Sequence, residues 1–243
     1  MAQIASLRGK LFDLGVGRER EGATRTHDMM GGTYVYEWDL VSGSAFCRVR
    51  RQFLAPEMEQ RLQQTVQDFA RFFASAWICR PAVTPPSGLF DEYSQTLDKL
   101  SQSLPVRFHP KLDEVRQGLP LLLRPEYPMV VQHDDLLEHN IHVDEATGRI
   151  TGIVDWQDAV IAPFGVSLSG LETVLDVQTS STWHLHPSHL DLREIFWDKF
   201  YETTGEISEV DRRSMEIARL FGLFRLHGPE ENAAAYLDVL CSV

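Results

Sequence analysis

One short segment of the chain carries the side chains whose types and spacing could do chemistry. It holds His133, Asp135 and Asn140, and Asp155 follows further along the chain. Two carboxylates and one amide oxygen suit a hard cation such as Mg²⁺, which prefers oxygen ligands and keeps several waters. In phosphoryl transfer, metal ions neutralise the phosphate charges while one carboxylate orients the attacking hydroxyl. This set of residues therefore points to metal-assisted chemistry on a phosphate.

The elements around these residues are predicted to bring them together. Residues 140–143 are predicted as a strand, residues 144–148 as a hairpin turn, and residues 150–154 as the returning strand. Because Asp155 directly follows the returning strand, the hairpin places its carboxylate near the loop that carries Asp135 and Asn140. Asp and Asn favour loops in any protein, so one such residue alone would indicate only a turn. All of them together in a strand–loop–strand context indicate a site.

The rest of the chain has a mainly helical pattern. Leu62, Val66, Phe69 and Phe73 recur at the spacing of one helix face. Predicted helices cover residues 55–77, 90–104, 110–123, 168–176, 191–203 and 209–225, and a short aromatic strand covers residues 33–38. The predicted fold class is α+β, mostly helical, with one small central β-hairpin that carries the candidate site.

Composition excludes several classes of protein. The chain has 243 residues, 43% of them hydrophobic and 24% charged, which is typical of a globular protein. No apolar stretch approaches the roughly 20 residues that span a bilayer, so no membrane association is expected. The formal net charge of −12 disfavours nucleic acid as a partner and would suit a cationic small molecule. Cys47, Cys79 and Cys241 are odd in number and scattered, which predicts a reducing, cytoplasmic location.

The central motifs resemble those of a known family. The stretch HDDLLEHNIHV at residues 133–143 and the stretch GIVDW at residues 152–156 are similar to the aminoglycoside phosphotransferase (choline kinase-like) enzymes. Their pattern is H-x-D-L-x-x-x-N followed by I-D-W, and the same order of groups occurs in the kinase catalytic loop and its metal-binding Asp. The continuation through residues 157–165 looks most like fungal members of that superfamily. The resemblance implies a kinase-like C-terminal lobe.

The resemblance also implies a role for each residue of the motif. Asp135 would be the catalytic base or the residue that orients the hydroxyl, and Asn140 and Asp155 would be the Mg²⁺ ligands. His133 would brace the loop by hydrogen bonds, and Asp134 stands where many relatives have Gly and adds a charge. We include His133 and Asp134 with Asp135 as candidate catalytic residues. The cofactors would be Mg²⁺ with ATP or GTP, and the partner would be a small-molecule acceptor.

Enzymes of this family carry an N-terminal lobe that covers the nucleotide, and little of this sequence matches one. We divide the chain into residues 1–32, an arm or a remnant of that lobe, and residues 33–243, the kinase-like C-terminal lobe. Gly15-Val16-Gly17 is not a full G-x-G-x-x-G pattern, and Lys10 is the one lysine upstream of the aromatic strand. We therefore expect the N-terminal lobe to be largely absent and the nucleotide site to be incomplete, unless a second copy in a homo-oligomer completes it.

Three functions follow from these expectations. The first is a small-molecule phosphotransferase that uses a Mg-nucleotide. The second is an enzyme that keeps the cleft of the C-terminal lobe for acid–base chemistry without nucleotide, of a cyclase, isomerase or dehydratase type, for example in fungal secondary metabolism. The third is a non-catalytic pseudokinase that binds a ligand or partner. Retention of Asp135, Asn140 and Asp155 favours the first, while the short N-terminus motivates the second.

Overall fold

The computed structural model describes residues 25–30, 33–37, 40–53, 55, 58–178, 183–229 and 233–240. Within them the fold is α+β and mainly helical, as predicted. The helices are α1 (Phe46–Phe53), α2 (Glu59–Ile78), α3 (Leu89–Ser103), α4 (His109–Leu122), α5 (Gly170–Leu175), α6 (His189–Thr204), α7 (Glu209–His227) and α8 (Ala233–Leu240). The strands are β1 (Arg25–Met30), β2 (Thr33–Glu37), β3 (Ser44–Ala45), β4 (Met129–Gln132), β5 (Ile141–Val143), β6 (Ile150–Ile153), β7 (Val160–Pro163), β8 (Asp176–Gln178) and β9 (Trp183–Leu185).

The central hairpin is present as predicted. β5 and β6 pair antiparallel with His142 opposite Gly152, and β3 pairs with β5 as a third strand. Gly148 closes the turn with a φ of 74°, in the left-handed region that favours glycine. A Cβ at this position would lie 2.1 Å from the carbonyl oxygen of Arg61 in α2. Glycine is therefore required both by the backbone conformation and by the close approach of the helix.

Helix α2 supports this hairpin. Its apolar residues are buried at the predicted spacing, and the rings of Phe69 and Phe73 contact Phe196 of α6 with centroid distances of 6.5 and 6.1 Å. Burying each such side chain stabilises the fold by roughly 1.5–3 kcal/mol. On its other side, Thr65 Oγ1 donates to the carbonyl of Gly148 at 2.6 Å. Because α2 is anchored in the hydrophobic core, this hydrogen bond fixes the position of the hairpin relative to the core.

A second sheet leads into the candidate site. β4 and β7 pair antiparallel, with Gln132 opposite Val160. β4 ends where the 133–140 loop begins, and β5 begins where that loop ends. A buried side chain on α2 holds the returning strand as well, because Asp68 Oδ2 accepts a hydrogen bond from the amide of Ile150 at 3.1 Å.

Several elements differ from the expectations. The helix expected from residue 55 begins at Glu59, and the helix expected over residues 168–176 is a 3₁₀ turn (Val166–Ser169) followed by α5. Helices α1 and α8 and strands β1, β3, β4, β7, β8 and β9 were not predicted. α1 has only eight residues, and an apolar pattern over two turns is too short to indicate a helix by itself. Short strands depend on partners elsewhere in the chain, and local patterns do not reveal those partners.

Only residues 25–30 of the expected N-terminal arm are described. Lys10 and Gly15-Val16-Gly17 lie outside the described residues. β1 and β2 flank the expected domain boundary at residues 32 and 33 and pair with each other as a hairpin. The division of the chain there stays a prediction. Among the described residues, no helix is long and apolar enough to cross a bilayer.

Gly222 in α7 provides a test of the packing between α7 and the 3₁₀ turn Val166–Ser169. A Cβ at residue 222 would lie 1.8 Å from the carbonyl oxygen of Val166. We expect Gly222→Ala to lower the free energy of unfolding by about 2 kcal/mol, because backbone must move to admit the methyl group. Gly88→Ala is the matched control, since no atom lies within 4 Å of its added Cβ. Urea titrations giving equal stability for both variants would contradict the packing described here.

His227 predicts an acid-sensitive stability. Burial lowers the pKa of His227 to about 3. Between about pH 6.5 and that value the unfolded chain binds a proton and the folded chain does not, so the free energy of unfolding falls as the pH falls. Urea titrations should show a loss of about 2 kcal/mol from this residue between about pH 7.5 and about pH 5. His227→Gln should lack this loss, and His139→Gln, which changes an exposed side chain, should retain it. If the free energy of unfolding fell equally with pH in wild type and in His227→Gln, this prediction would be wrong.

Candidate functional site

His133 links the 133–140 loop to the segment that carries Asp155. Its ring is 3% exposed, and both ring nitrogens are hydrogen-bonded. Nε2 donates to the carbonyl of Val154 at 2.7 Å, and Nδ1 accepts from the amide of Asp135 at 3.2 Å. This pairing assigns the proton to Nε2. With both nitrogens used, the imidazole braces the loop and has no nitrogen left for proton exchange with a substrate.

Asn140 closes the same loop from its other end. The side chain is buried, and its Nδ2 donates to the carbonyl of Asp135 at 2.9 Å. Its backbone carbonyl accepts from the amide of Val154 at 2.9 Å. Asn140 therefore contacts Asp135 through its side chain, and through its backbone it contacts Val154, the neighbour of Asp155. Because the amide nitrogen is used internally, the oxygen is the side-chain atom that Asn140 can offer to a ligand.

Asp155 has an unusual backbone conformation. Its φ of 63° and ψ of 53° make it the one non-glycine residue with positive φ in the described part of the chain. This conformation costs an L-residue about 1–2 kcal/mol, although Asp and Asn tolerate it best. The indole Nε1 of Trp156 donates to the carbonyl of Ile153 at 2.7 Å and spans the turn around residue 155. The strain is held by the surrounding structure, which is typical of functional sites.

Asp135 presents a carboxylate to solvent at the centre of these contacts. Its side chain is 48% exposed, and Oδ2 lies 3.5 Å from Nε2 of His139, which is itself exposed. The backbone of Asp135 is fixed by His133 and Asn140, while its carboxylate is free to contact an incoming group. A fixed backbone with an accessible carboxylate is the arrangement that proton transfer from a substrate requires.

Asp134 is held by an arginine from the far end of the domain. Arg225 of α7 donates to Asp134 Oδ1 through Nη2 at 2.6 Å and to Oδ2 through Nη1 at 3.1 Å. Such a two-pronged pair adds directional specificity to the attraction. The pair fixes the residue next to Asp135. Arg225 could not be predicted from the sequence, since it lies in a helix without a motif.

A buried polar cluster supports the start of the loop. Gln132 Oε1 accepts from the amide of Ser167 at 2.6 Å. Ser167 Oγ lies 2.8 Å from the same oxygen and 3.0 Å from the carbonyl of His133, so its one proton is shared between two acceptors. Gln132 Nε2 also donates to the carbonyl of Pro163. Neither residue stood out in the sequence, because a single Gln or Ser carries no local pattern.

Helix α1 contacts the middle of the loop. The amide of Cys47 donates to the carbonyl of Glu138 at 3.1 Å, and Arg50 Nη1 lies 3.6 Å from Glu138 Oε1. Arg50 is itself anchored, because its Nη2 pairs with the buried carboxylate of Asp176. Burial is the main cause that raises the pKa of Asp176, to about 7, while Arg50 and the hydroxyl of Tyr236 act in the opposite direction. The loop is thus held at its start, middle and end.

The donors present fit a magnesium ion. Asn140 offers an amide oxygen and Asp155 an exposed carboxylate, and hydrogen bonds through Val154 hold their segments together. In the described part of the chain, no group of three or more His, Cys, Asp or Glu side chains could hold a metal ion by itself. Mg²⁺ commonly takes only one or two protein ligands and completes its shell with water and substrate phosphates. The pair Asn140 and Asp155 matches that mode of binding.

A comparison with known families agrees with this geometry. The sequence pattern of a family described as "Phosphotransferase enzyme family" matches residues 35–176, more than half of the chain. The protein belongs to this phosphotransferase family, and the resemblance seen in its motifs is confirmed. No curated protein matches the chain.

A solved phosphotransferase structure shares the fold. The GDP complex of wild-type aminoglycoside 2'-phosphotransferase-IIIa is 16% identical with a TM-score of 0.57, and the match covers 97% of this chain and 79% of that one. Aminoglycoside phosphotransferase APH(3'')-Id from Streptomyces rimosus is 14% identical with a TM-score of 0.49, over 90% of this chain and 83% of that one. At 16% identity, the first of these shows that the fold is kinase-like.

The backbone at Asp155 can be tested by substitution. Asp155→Gly should match or exceed wild-type stability, because glycine adopts positive φ without strain. Asp155→Asn should be close to wild type, and Asp155→Ala should be about 1 kcal/mol less stable than Asp155→Asn. The free energies of unfolding in urea measure this order. If Asp155→Ala were the most stable of the three, the left-handed conformation would be wrong.

Proposed function

We propose that this chain is an enzyme that transfers a phosphoryl group from a Mg-bound ATP or GTP to a hydroxyl of a small molecule. The observation that carries the proposal is the linkage of Asp135, Asn140 and Asp155 through Val154 and His133. Two carboxylates and one amide oxygen are held on adjacent backbones that cannot move independently. Membership of the phosphotransferase family supports the same chemistry.

In this proposal Asp135 acts on the acceptor. Its exposed carboxylate accepts a hydrogen bond from the acceptor hydroxyl and takes the proton as the hydroxyl oxygen bonds to the γ-phosphorus. The bond from that phosphorus to the β–γ bridging oxygen breaks in the same transfer, and the nucleoside diphosphate leaves. Asn140 and Asp155 would hold Mg²⁺, which when bound neutralises charge on the nucleotide phosphates. Asp155 lies two residues beyond the end of β6 and is exposed, so its carboxylate is accessible to an ion. Preorganised oxygens lower the cost of reorganisation in the reaction.

His133 and Asp134 act in this proposal as positioning residues. His133 uses both ring nitrogens within the protein, and Asp134 is paired with Arg225. Both contacts fix the backbone that leads into Asp135, since His133 accepts from the Asp135 amide and Asp134 directly precedes it. They support a structural part for these two side chains in place of proton transfer. The charge on Asp134 is then balanced before any substrate binds.

The acceptor class follows from charge. The chain has a formal net charge of −12, and Glu138 lies three residues beyond Asp135. A negative field attracts and orients a cationic acceptor. A small molecule that carries both an ammonium group and a hydroxyl is therefore the proposed substrate class. A cytoplasmic location and a fungal-type origin stay predictions.

Nucleotide binding and turnover test the proposal in wild-type protein. Calorimetric titration with ATP and with GTP should show micromolar binding that depends on Mg²⁺. A coupled assay of nucleoside diphosphate release, with a panel of amino alcohols and aminoglycosides, should show acceptor-dependent turnover. Asp155→Asn should lose the Mg²⁺-dependent part of binding, because one ligand oxygen is replaced by an amide nitrogen. Asp135→Asn should keep nucleotide binding and lose about 100-fold or more in kcat.

Asp158→Asn is the matched control, since it removes an exposed carboxylate three residues beyond Asp155. It should leave binding and turnover unchanged. Absence of nucleotide binding at millimolar concentration would contradict the proposal and favour acid–base chemistry in the cleft. Equal and substantial turnover by Asp135→Asn and Asp155→Asn would contradict the assignment of both residues.

A further inference from the structure

A cavity of about 230 Å³ lies between α6, α7 and the start of α5. None of the residues that line it belongs to the candidate site. Arg193, Trp197 and Tyr201 line it from α6, and Arg212 and Arg219 line it from α7. Residues 212 and 219 are seven positions apart and share one helix face. The cavity therefore combines cationic and aromatic side chains in a chain that is acidic as a whole.

The charges at one wall do not balance. Glu172 is fully buried and accepts hydrogen bonds from two terminal nitrogens of Arg193 and from Nη1 of Arg219. One carboxylate is thus shared by two guanidinium groups, which leaves an excess of positive charge. The Nε atom of Arg193 is buried and makes no hydrogen bond. A buried excess charge is costly unless an anion compensates it.

On the opposite wall of the cavity, the guanidinium group of Arg212 has no carboxylate partner among the described residues. Arg212 Nε donates to the carbonyl of Ile207 at 3.2 Å, and its guanidinium lies 4.3 Å from the ring centre of Tyr201. Arg212 forms no ion pair within the described residues. Glu216 also lines the cavity, but it pairs with Arg213 at 2.5 Å. The terminal amino groups of Arg212 are therefore available to an anion.

The remaining wall is apolar and flat. The rings of Trp197 and Tyr201 are stacked with centroids 5.7 Å apart and an interplanar angle of 22°. Leu168 and Met215 add aliphatic surface. A cavity of about 150 Å³ is enough to hold benzene, so this one has room for a substituted aromatic ring. An ion without an apolar body would leave this surface uncovered.

We propose that the cavity binds a small aromatic carboxylate, with its ring against Trp197 and Tyr201 and its carboxylate on Arg212. The site is separate from the proposed phosphotransfer site. Leu168 belongs to the same 3₁₀ turn as Ser167, which bonds the start of the 133–140 loop. A ligand in the cavity thus contacts the segment that supports that loop.

Calorimetric titration of the whole chain with indole-3-acetate tests this site without any need for turnover. Wild-type protein should show saturable binding with a Kd below about 1 mM. Arg212→Gln should weaken binding about 10-fold or more, since a charge-assisted hydrogen bond is lost. Arg107→Gln is the matched control and should bind as wild type, because Arg107 pairs with Asp238 and neither residue lines the cavity. The neutral analogue indole-3-acetamide should bind about 10-fold more weakly to the unchanged protein.

Three results would overturn the proposal. They are the absence of saturation by indole-3-acetate at several millimolar, equal affinity for the acid and the amide, and equal affinity of Arg212→Gln and wild type. Titration with inorganic phosphate tests whether the site recognises the aromatic ring as well as the charge. If phosphate bound as tightly as indole-3-acetate, the cavity would be an anion site only and the proposal would be wrong. The comparison of acid with amide needs no variant, so a folding defect in Arg212→Gln leaves it intact. A saturating concentration of ATP and Mg²⁺ should leave the Kd for indole-3-acetate unchanged.

Discussion

The backbone of Val154 is the point on which the candidate site depends. Its carbonyl accepts from His133 and its amide donates to Asn140, so one peptide segment fastens both ends of the 133–140 loop. The bond from His133 is partly buried, and a polar group left without a partner in such a place costs up to about 1–3 kcal/mol. The loop and the turn at Asp155 therefore hold one relative arrangement. Separate flexible loops would have to order two carboxylates at every binding event.

The core supplies the rigidity that this arrangement needs. α2 is buried against α6 through aromatic rings, and its polar residues Thr65 and Asp68 reach the central hairpin. Burial of aromatic side chains stabilises the fold without regard to direction, whereas hydrogen bonds to backbone fix a direction. The combination places β6, and so Asp155, against the loop. Local strain at Asp155 persists because the packing around it is much more stable than the strain is costly.

The ion pairs that join distant helices differ in how far they are exposed to water. The pair of Asp134 and Arg225 is about one third exposed, and water screens it, so it contributes mainly orientation. Arg50 with Asp176, and Glu172 with its two arginines, are almost fully buried. Buried pairs give specificity more than net stability, because desolvation offsets much of the attraction. The excess arginine around Glu172 stands out against that pattern, since no second carboxylate among the described residues pairs with Arg193 or Arg219.

The sequence by itself determined the local pieces and the family. Helical periodicity located α2, α3, α4, α6 and α7 to within a few residues, turn chemistry located the hairpin, and one segment held the whole motif. These signals act over a few positions along the chain. Only the tertiary structure decided what holds the motif in place, because Gln132, Ser167 and Arg225 meet the loop through polar contacts between distant segments. It also decided the left-handed backbone of Asp155 and the cavity between α6 and α7. Such features depend on which elements meet in space. Hydrophobic periodicity shows which face of a helix is buried, but it does not show what that face packs against.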